Sequence, residues 1–287
     1  MRRNKWTGVL LLICILWIVG SGAGAVTVAE AASGKRTTGG NSVRREVPKK
    51  KKAVWVTKNQ KVYYYNEQGK KQTGVAEIKG RKYYFDKKGV QHTGWQKIKG
   101  DYYFFTIANG KKGSMVAGKK VNGVSLGKDG KARLTKNSRS KVSVMIKANR
   151  IMEKCTKPAM KKSTKLKRCF TYSKRKFSYH TSPKYGRRSG WKNHWERKYA
   201  LEMFDGGGGD CYAYGAAFAF LANACGYTDA CVVSSGGHGW AEVSGKVYDP
   251  SWSKVDRRHN YCGMPYSLSG RGGRPRYRWN RRYVVKI

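Results

Sequence analysis

From Val62 onward the chain alternates short aromatic and β-branched runs with polar, glycine-bearing turns. The segments VYYYNEQGKKQTGVAEIKG from Val62, KYYFDKKGVQHTGWQKIKG from Lys82 and DYYFFTIANGKKGSMVAGKKVNG from Asp101 repeat one design. Tyr64 and Tyr84, Gly74 and Gly94, and Gly80 and Gly100 are each 20 residues apart; a fixed period of that size predicts stacked units. Each unit reads as an aromatic strand, a glycine turn and a second short strand, a hairpin too small to bury its own face. Stacking supplies the missing core. The stretch VSLGKDGKA keeps a turn at Asp129-Gly130 but carries Val124 and Leu126 where aromatics are expected, which suits a capping unit.

Beyond the basic stretch Arg133 to Lys141 the period lengthens. Val144, Ala148, Ile151, Met152 and Cys155 recur at helical spacing, as do Leu166, Cys169 and Phe170 after Ser163 and Thr164, residues able to cap a helix. Ala213, Ala217, Leu221, Ala224 and Cys225 mark one face of a helix from about Cys211 to Cys225, with Asp210 as its cap and Gly226 as its stop. Ala230 to Val233 is strand-like, AEV and KVY flank Ser244-Gly245 as a β-hairpin, and Tyr283 to Ile287 reads as a further strand. Residues 53–134 therefore form a hairpin array and residues 135–287 a second domain, long enough to bury roughly two-thirds of its unfolded surface.

The amino terminus changes the compartment. Arg2, Arg3 and Lys5 precede an apolar run from Val9 to Gly20 and small residues around Ala29 and Ala31, the layout of a secretory signal over residues 1–31. An uncleaved anchor is the alternative, although the run is short against the roughly 20 residues of a membrane span. Residues 32–52 lack apolar periodicity and end in a lysine run, a solvated basic linker. The formal net charge is +45, from 61 Lys and Arg against 16 Asp and Glu, so polyanions are attracted whatever the fold. Outside the cytoplasm that polyanion is a cell-wall polymer, a teichoic acid or glycan, or a membrane surface. Nucleic acid is the lesser expectation, because basic balance reports charge and not partner.

Candidate chemistry centres on GGGGDCYAYG. Cys211 falls in the first turn of its helix, where free N–H groups and the helix dipole favour a thiolate, while the charge of Asp210 works against it. A base is therefore required. Centring the hairpin turn on Ser244-Gly245 puts Trp240 opposite Asp249, and alternation puts His238 on the same face. His238 and Asp249 become diagonal neighbours, about 7–8 Å apart at the backbone, within side-chain reach. Cys211, His238 and Asp249 then suit nucleophilic catalysis: thiolate attack on an acyl carbon, proton transfer by His238, and orientation of His238 by Asp249. The Cys211 N–H is an oxyanion donor. The four glycines are expected to admit a substrate main chain and to permit a tight entry into the helix. Trp240 and Trp252 are expected to pack around the pair, and His92, His180, His194 and His259 to be surface residues.

Of the six cysteines after the leader, Cys155 and Cys169 fit buried structural thiols on helices. No C-x-x-C occurs, so no metal site and no cofactor are expected.

Two resemblances follow from these residues. The aromatic hairpins over about residues 55–131 resemble the cell-wall-binding repeats of choline-binding and glucan-binding surface proteins, with Tyr63, Tyr64, Tyr83, Tyr84, Trp95, Tyr102 and Tyr103 at the aromatic positions. That resemblance implies wall-ligand contacts from Tyr64, Tyr84, Trp95 and Tyr103. GDCYAYGAAFAFLANACGY, GHGWAEV and VYDPSW, in that order, resemble the transglutaminase-like superfamily of papain-type thiol enzymes, with WERKYALEMF similar to the helix that precedes the cysteine. This second resemblance implies an α+β fold, a cysteine helix packed on an antiparallel sheet, and acyl transfer through a thioester. It leaves the second oxyanion donor open, with Trp195 or Tyr199 as the choices. The expected protein is a secreted, wall-associated cysteine acyltransferase or peptidase acting on a peptide or protein substrate; the alternative is a catalytically silent wall-binding adhesin or scaffold.

Overall fold

Two-residue turns set the frame of the first half of the molecule. In the computed structural model, which describes residues 52–107, 113–181, 194–235, 237–278 and 283–287, β1 (Val54–Lys58) pairs with β2 (Lys61–Tyr65), β3 (Gly74–Ile78) with β4 (Arg81–Phe85), and β6 (Gly94–Ile98) with β7 (Asp101–Phe105), all antiparallel. The short β5 (Gln91–His92) adds to β4, while β8 (Lys120–Val121), β9 (Val124–Leu126) and β10 (Ala132–Arg133) close the series. Residues 1–51, over which a leader and most of a basic linker are expected, lie outside the described residues.

The hairpins are offset by half a unit from the sequence-based expectation. Pairing runs from the second strand of one unit to the aromatic strand of the next, through Lys79-Gly80 and Lys99-Gly100, whose φ values are +50°, +71°, +49° and +91°. Positive φ at both turn residues gives the type I′ geometry, whose twist matches that of the strands it joins. The expected turn at Asn66–Gly69 instead links successive hairpins, with Gly69 N–H bonded to the Asn66 carbonyl at 2.8 Å.

Thr135 then caps α1 (Lys136–Cys155) through a reciprocal bond pair with Ser138. The following α2 (Lys162–Lys176) starts at Lys161 with no side-chain cap, so Ser163 and Thr164 lie inside its first turn rather than capping it. After β11 (Ser178–Tyr179) come α3 (Trp195–Gly206), β12 (Gly208–Gly209) and α4 (Cys211–Ala224). Three antiparallel strands follow, β13 (Cys231–Ser234), β14 (Gly239–Val243) and β15 (Lys246–Tyr248), then the single-turn α5 (Trp252–Val255), β16 (Cys262–Pro265) and β17 (Tyr283–Lys286). The five-stranded sheet has the order β16-β15-β14-β13-β17. Every residue of α4 is buried, because α4 lies on β14 while α1, α2 and α3 pack around it.

The last hairpins share that core. Trp95, Tyr102, Val124 and Leu126 are buried together with the residues of α1 and α4, and Asn149 of α1 donates to the Thr93 carbonyl at 2.6 Å. Only Ile78, Tyr83 and Phe85, flanked by Tyr64 and Ala76, form a separate small cluster inside the array. Val124 and Leu126 thus do more than cap the repeats, since they join them to the helices.

Candidate functional site

Cys211 is the first residue of α4 and is 9% exposed. Asp210 caps the helix by accepting from the Ala213 N–H at 3.0 Å. Burial pushes the Asp210 carboxyl up, the Ala213 N–H opposes this, and Glu202 adds to the rise.

The hairpin register is the one read from the sequence. Ala241 pairs with Tyr248, Glu242 with Val247 and Val243 with Lys246, about a turn with φ of +50° at Ser244 and +68° at Gly245. One step further along this register, His238 Nε2 lies 2.6 Å from Asp249 Oδ2. The Cys211 side chain is near enough to the His238 ring to help raise its pKa; with Nε2 held by Asp249, Nδ1 is the nitrogen left for the thiol. Burial disfavours the charged ring, but the Asp249 carboxylate and then Cys211 outweigh it, and the pKa of His238 is pushed up to about 10. Asp249 is fully buried. Burial would raise its carboxyl, yet His238, the Ser251 hydroxyl and the Trp252 N–H hold it below its usual range.

Four donors surround that carboxylate. Beyond His238, Oδ1 accepts from the Ser251 hydroxyl at 2.6 Å and the Trp252 N–H at 3.0 Å, and Oδ2 from the Tyr277 hydroxyl at 2.9 Å. Trp240 stacks on His238 at 6.0 Å and Trp252 meets it edge-on at 6.3 Å, so both tryptophans wall the imidazole. Tyr277 comes from the basic tail, ahead of the strand expected at Tyr283 to Ile287; its link to Asp249 spans 28 residues, and no local pattern announces it. Ser251 stands two residues after Asp249, where the Asp-Pro turn could have suggested it.

The glycine run works differently from expectation. Gly207 ends α3 with φ of +77°. A Cβ on Gly208 would fall 2.7 Å from the Ser178 carbonyl, and one on Gly209 2.5 Å from the Ala213 Cβ. The glycines thus admit a strand of the protein itself: β11 pairs in parallel with β12. That pairing brings in Tyr179, whose hydroxyl hydrogen-bonds Cys211 and whose ring stacks on Tyr214 at 6.2 Å. Trp195 and Tyr199, the two expected oxyanion donors, are buried with their rings against Tyr212.

Two further glycines let α4 approach the sheet. A Cβ on Gly215 would sit 2.9 Å from the backbone N, Cα and C of Trp240, and one on Gly239 2.5 Å from the Tyr212 ring. A glycine in mid-helix costs about 1 kcal/mol against alanine, so it calls for a packing reason. Gly215→Ala is expected to destabilise the protein by about 1–3 kcal/mol despite the better helix propensity, because α4 must retreat from β14. Urea unfolding measures this, and equal or greater stability of the variant would refute the close-approach role.

The repeat aromatics divide. Tyr64 is half-buried against Trp55 at 4.9 Å, Tyr84 stacks on Phe105 at 6.0 Å, and Tyr103 is half-buried on β7. Trp95 is not placed for a ligand. It is 2% exposed, in the core shared with α1, and its indole N–H donates to Asn122 Oδ1 at 3.1 Å. A cavity of about 800 Å³ lies between the hairpins and the helices, lined by Trp55, Tyr83, Asp86, His92, Arg150 and Glu153 among others. His92 is no surface histidine: its ring bridges Asp86 at 3.3 Å and Glu153 at 3.1 Å. Burial opposes its charge, and the two carboxylates raise its pKa. His259 is likewise held, by Asp256 at 2.7 Å, whereas His180 and His194 are exposed.

Residues 72–119 match a choline-binding repeat. The hairpin segment is similar to choline-binding protein F from Streptococcus pneumoniae, at 26% identity over 27% of each chain, with a TM-score of 0.24. It is also similar to a choline-binding domain from Streptococcus pneumoniae (22% identity, 28% of this chain and 93% of that one, TM-score 0.25) and to the pneumococcal cell-wall endolysin of phage Cp-1 complexed with choline (23% identity, 30% and 27%, TM-score 0.24). The chain spans about a quarter of the length of the first of these. No curated protein matches the chain. The match to the choline-binding repeat leaves the helix-and-sheet portion that carries Cys211 unassigned.

Proposed function

We propose that this protein is a cell-wall-associated thiol enzyme, held at the wall by its choline-binding repeat and acting on peptide or glutamine-type amides. The observation that carries the proposal is the 2.6 Å His238–Asp249 pair, with Cys211 near the imidazole at a helix amino terminus. Asp249 keeps the imidazole beside Cys211 protonated, a setting suited to thiolate chemistry. The thiolate attacks the acyl carbon, and the developing oxyanion takes the Cys211 N–H. His238 gives its proton to the leaving amine, a thioester forms, and water or a second amine resolves it with His238 as base. Tyr179, whose hydroxyl interacts with the Cys211 side chain and backbone N–H, yields to the substrate as that N–H takes the oxyanion. No cofactor enters any step.

At the wall, the half-buried tyrosines Tyr64, Tyr84 and Tyr103, together with Trp55 and Tyr83 at the cavity, offer aromatic faces to a quaternary ammonium group. The excess of lysine and arginine adds attraction to teichoic acid. A second reading, a catalytically silent wall-binding scaffold, is favoured by the restriction of the family match to the hairpins.

The test incubates the full chain with a panel of glutamine donors, amine acceptors and wall peptides. Turnover of one class is expected, lost in Cys211→Ser while retention on choline-bearing wall persists. Retention without turnover of any class would favour the scaffold.

A further inference from the structure

At the opposite end of α4 from Cys211, three thiols stand in a row. Cys155 Sγ lies 3.7 Å from Cys169 Sγ, and Cys169 Sγ lies 3.6 Å from Cys225 Sγ. They come from three elements: the last residue of α1, the middle of α2, and the residue that ends α4. Fourteen residues at 1.5 Å each place Cys225 about 21 Å along the axis from Cys211, so the row is separate from the candidate active site. The remaining pair cannot join: Cys231 and Cys262 lie on β13 and β16, separated by β14 and β15, about 14 Å apart at ordinary strand spacing.

We propose that Cys155 and Cys169 are a disulfide pair in the oxidised protein, fastening the end of α1 to α2, with Cys225 as a buried thiol beside them. Each thiol contact must shorten to about 2.05 Å to bond, but a single sulfur, Cys169, is common to both contacts and can bond only one neighbour. Access selects that neighbour. Cys155 is half-buried, whereas Cys169 and Cys225 are 0% and 2% exposed. Cys155 is also the easier thiol to ionise: the Cys169 contact lowers its pKa, burial opposes this and Arg168 adds to the lowering, while contact with both neighbours and burial hold Cys169 up.

The chemistry balances with an external disulfide as oxidant. Cys155 thiolate attacks one sulfur of the oxidant, forming a mixed disulfide and releasing the first oxidant thiolate. Cys169, losing its proton to solvent, attacks the Cys155 sulfur and expels the second. Two protein thiols are oxidised by two electrons and one disulfide is reduced to two thiols. The bond closes across 13 intervening residues within one helical hairpin, and Cys211, at the other end of α4, takes no part in it.

The experiment treats the full chain with oxidised glutathione, unfolds it, blocks free thiols with iodoacetamide and maps the proteolytic peptides by mass spectrometry without reduction. The expected result is a peptide joining Cys155 to Cys169 as the major cross-link, lost on dithiothreitol treatment and retained in Cys225→Ser. A dominant bond between Cys169 and Cys225, or three alkylated cysteines after oxidation, would overturn the assignment. The wild-type map decides even if the variant does not fold.

Discussion

Replacing His238 by alanine is expected to slow iodoacetamide alkylation of Cys211 about 10-fold at pH 6. Only the thiolate reacts, and a cysteine of ordinary pKa near 8.5 is about 0.3% ionised at that pH. In the native protein His238 carries a proton across this range, because Asp249 and Cys211 together raise its pKa to about 10 against the effect of burial. An adjacent imidazolium favours thiolate chemistry through its charge, and the alanine variant lacks that charge. The lower intrinsic nucleophilicity of a stabilised thiolate trims the difference without reversing it. The contrast should shrink as pH rises, since an isolated thiol ionises on its own above its pKa. Rates that agree within a factor of two at pH 6 would remove the ion pair, and the thiol chemistry with it.

Asp249→Ala is expected to cost about 3–5 kcal/mol of conformational stability, the range seen when one partner of a buried pair is removed. The substitution leaves the His238 ring, the Ser251 and Tyr277 hydroxyls and the Trp252 N–H facing an apolar methyl. Urea unfolding at pH 6 measures the loss. Its pH dependence follows from the two shifts. The raised pKa of His238 contributes stability that is complete below its unfolded value of about 6.5 and is lost as pH climbs toward 10. The depressed carboxyl of Asp249 contributes stability present above about pH 4 and lost as acid protonates it in the folded state. Native stability should therefore decline from pH 6.5 to 10, and Asp249→Ala should flatten that decline. A loss below 1 kcal/mol would mean that water reaches the carboxylate and that the pair is not buried.

How much of this was legible before folding depended on the range of the signal. Local chemistry was clear: Asp210 before Cys211, Gly226 after the helix, and Ser244-Gly245 between two strands fixed a helix, its ends and a register from neighbouring residues. The register in turn set His238 beside Asp249, because a two-residue turn leaves the pairing no freedom. The hairpin frame of the repeats was misread by half a unit. A periodic sequence does not mark where a unit begins, and two glycine turns compete in each period. Trp95 was misplaced for a related reason: its aromatic position matches Trp55 on β1, but the next layer beyond it is α1 rather than open solvent. Tyr277 and Tyr179 could not be found at all, since each reaches its partner across more than 25 residues. Gly215 could have been found, as a helix interior tolerates glycine only for a reason.

The link from Tyr277 to Asp249 has a consequence in time as well as in space. Tyr277 stands within the last eleven residues, and β17, which completes the sheet beside β13, is made of the last few. Chains fold from the amino terminus as they emerge, so the hairpins can take shape while the carboxylate still lacks its tyrosine and the sheet its outer strand. Asp249 gains its fourth donor only once the chain has been made through Tyr277.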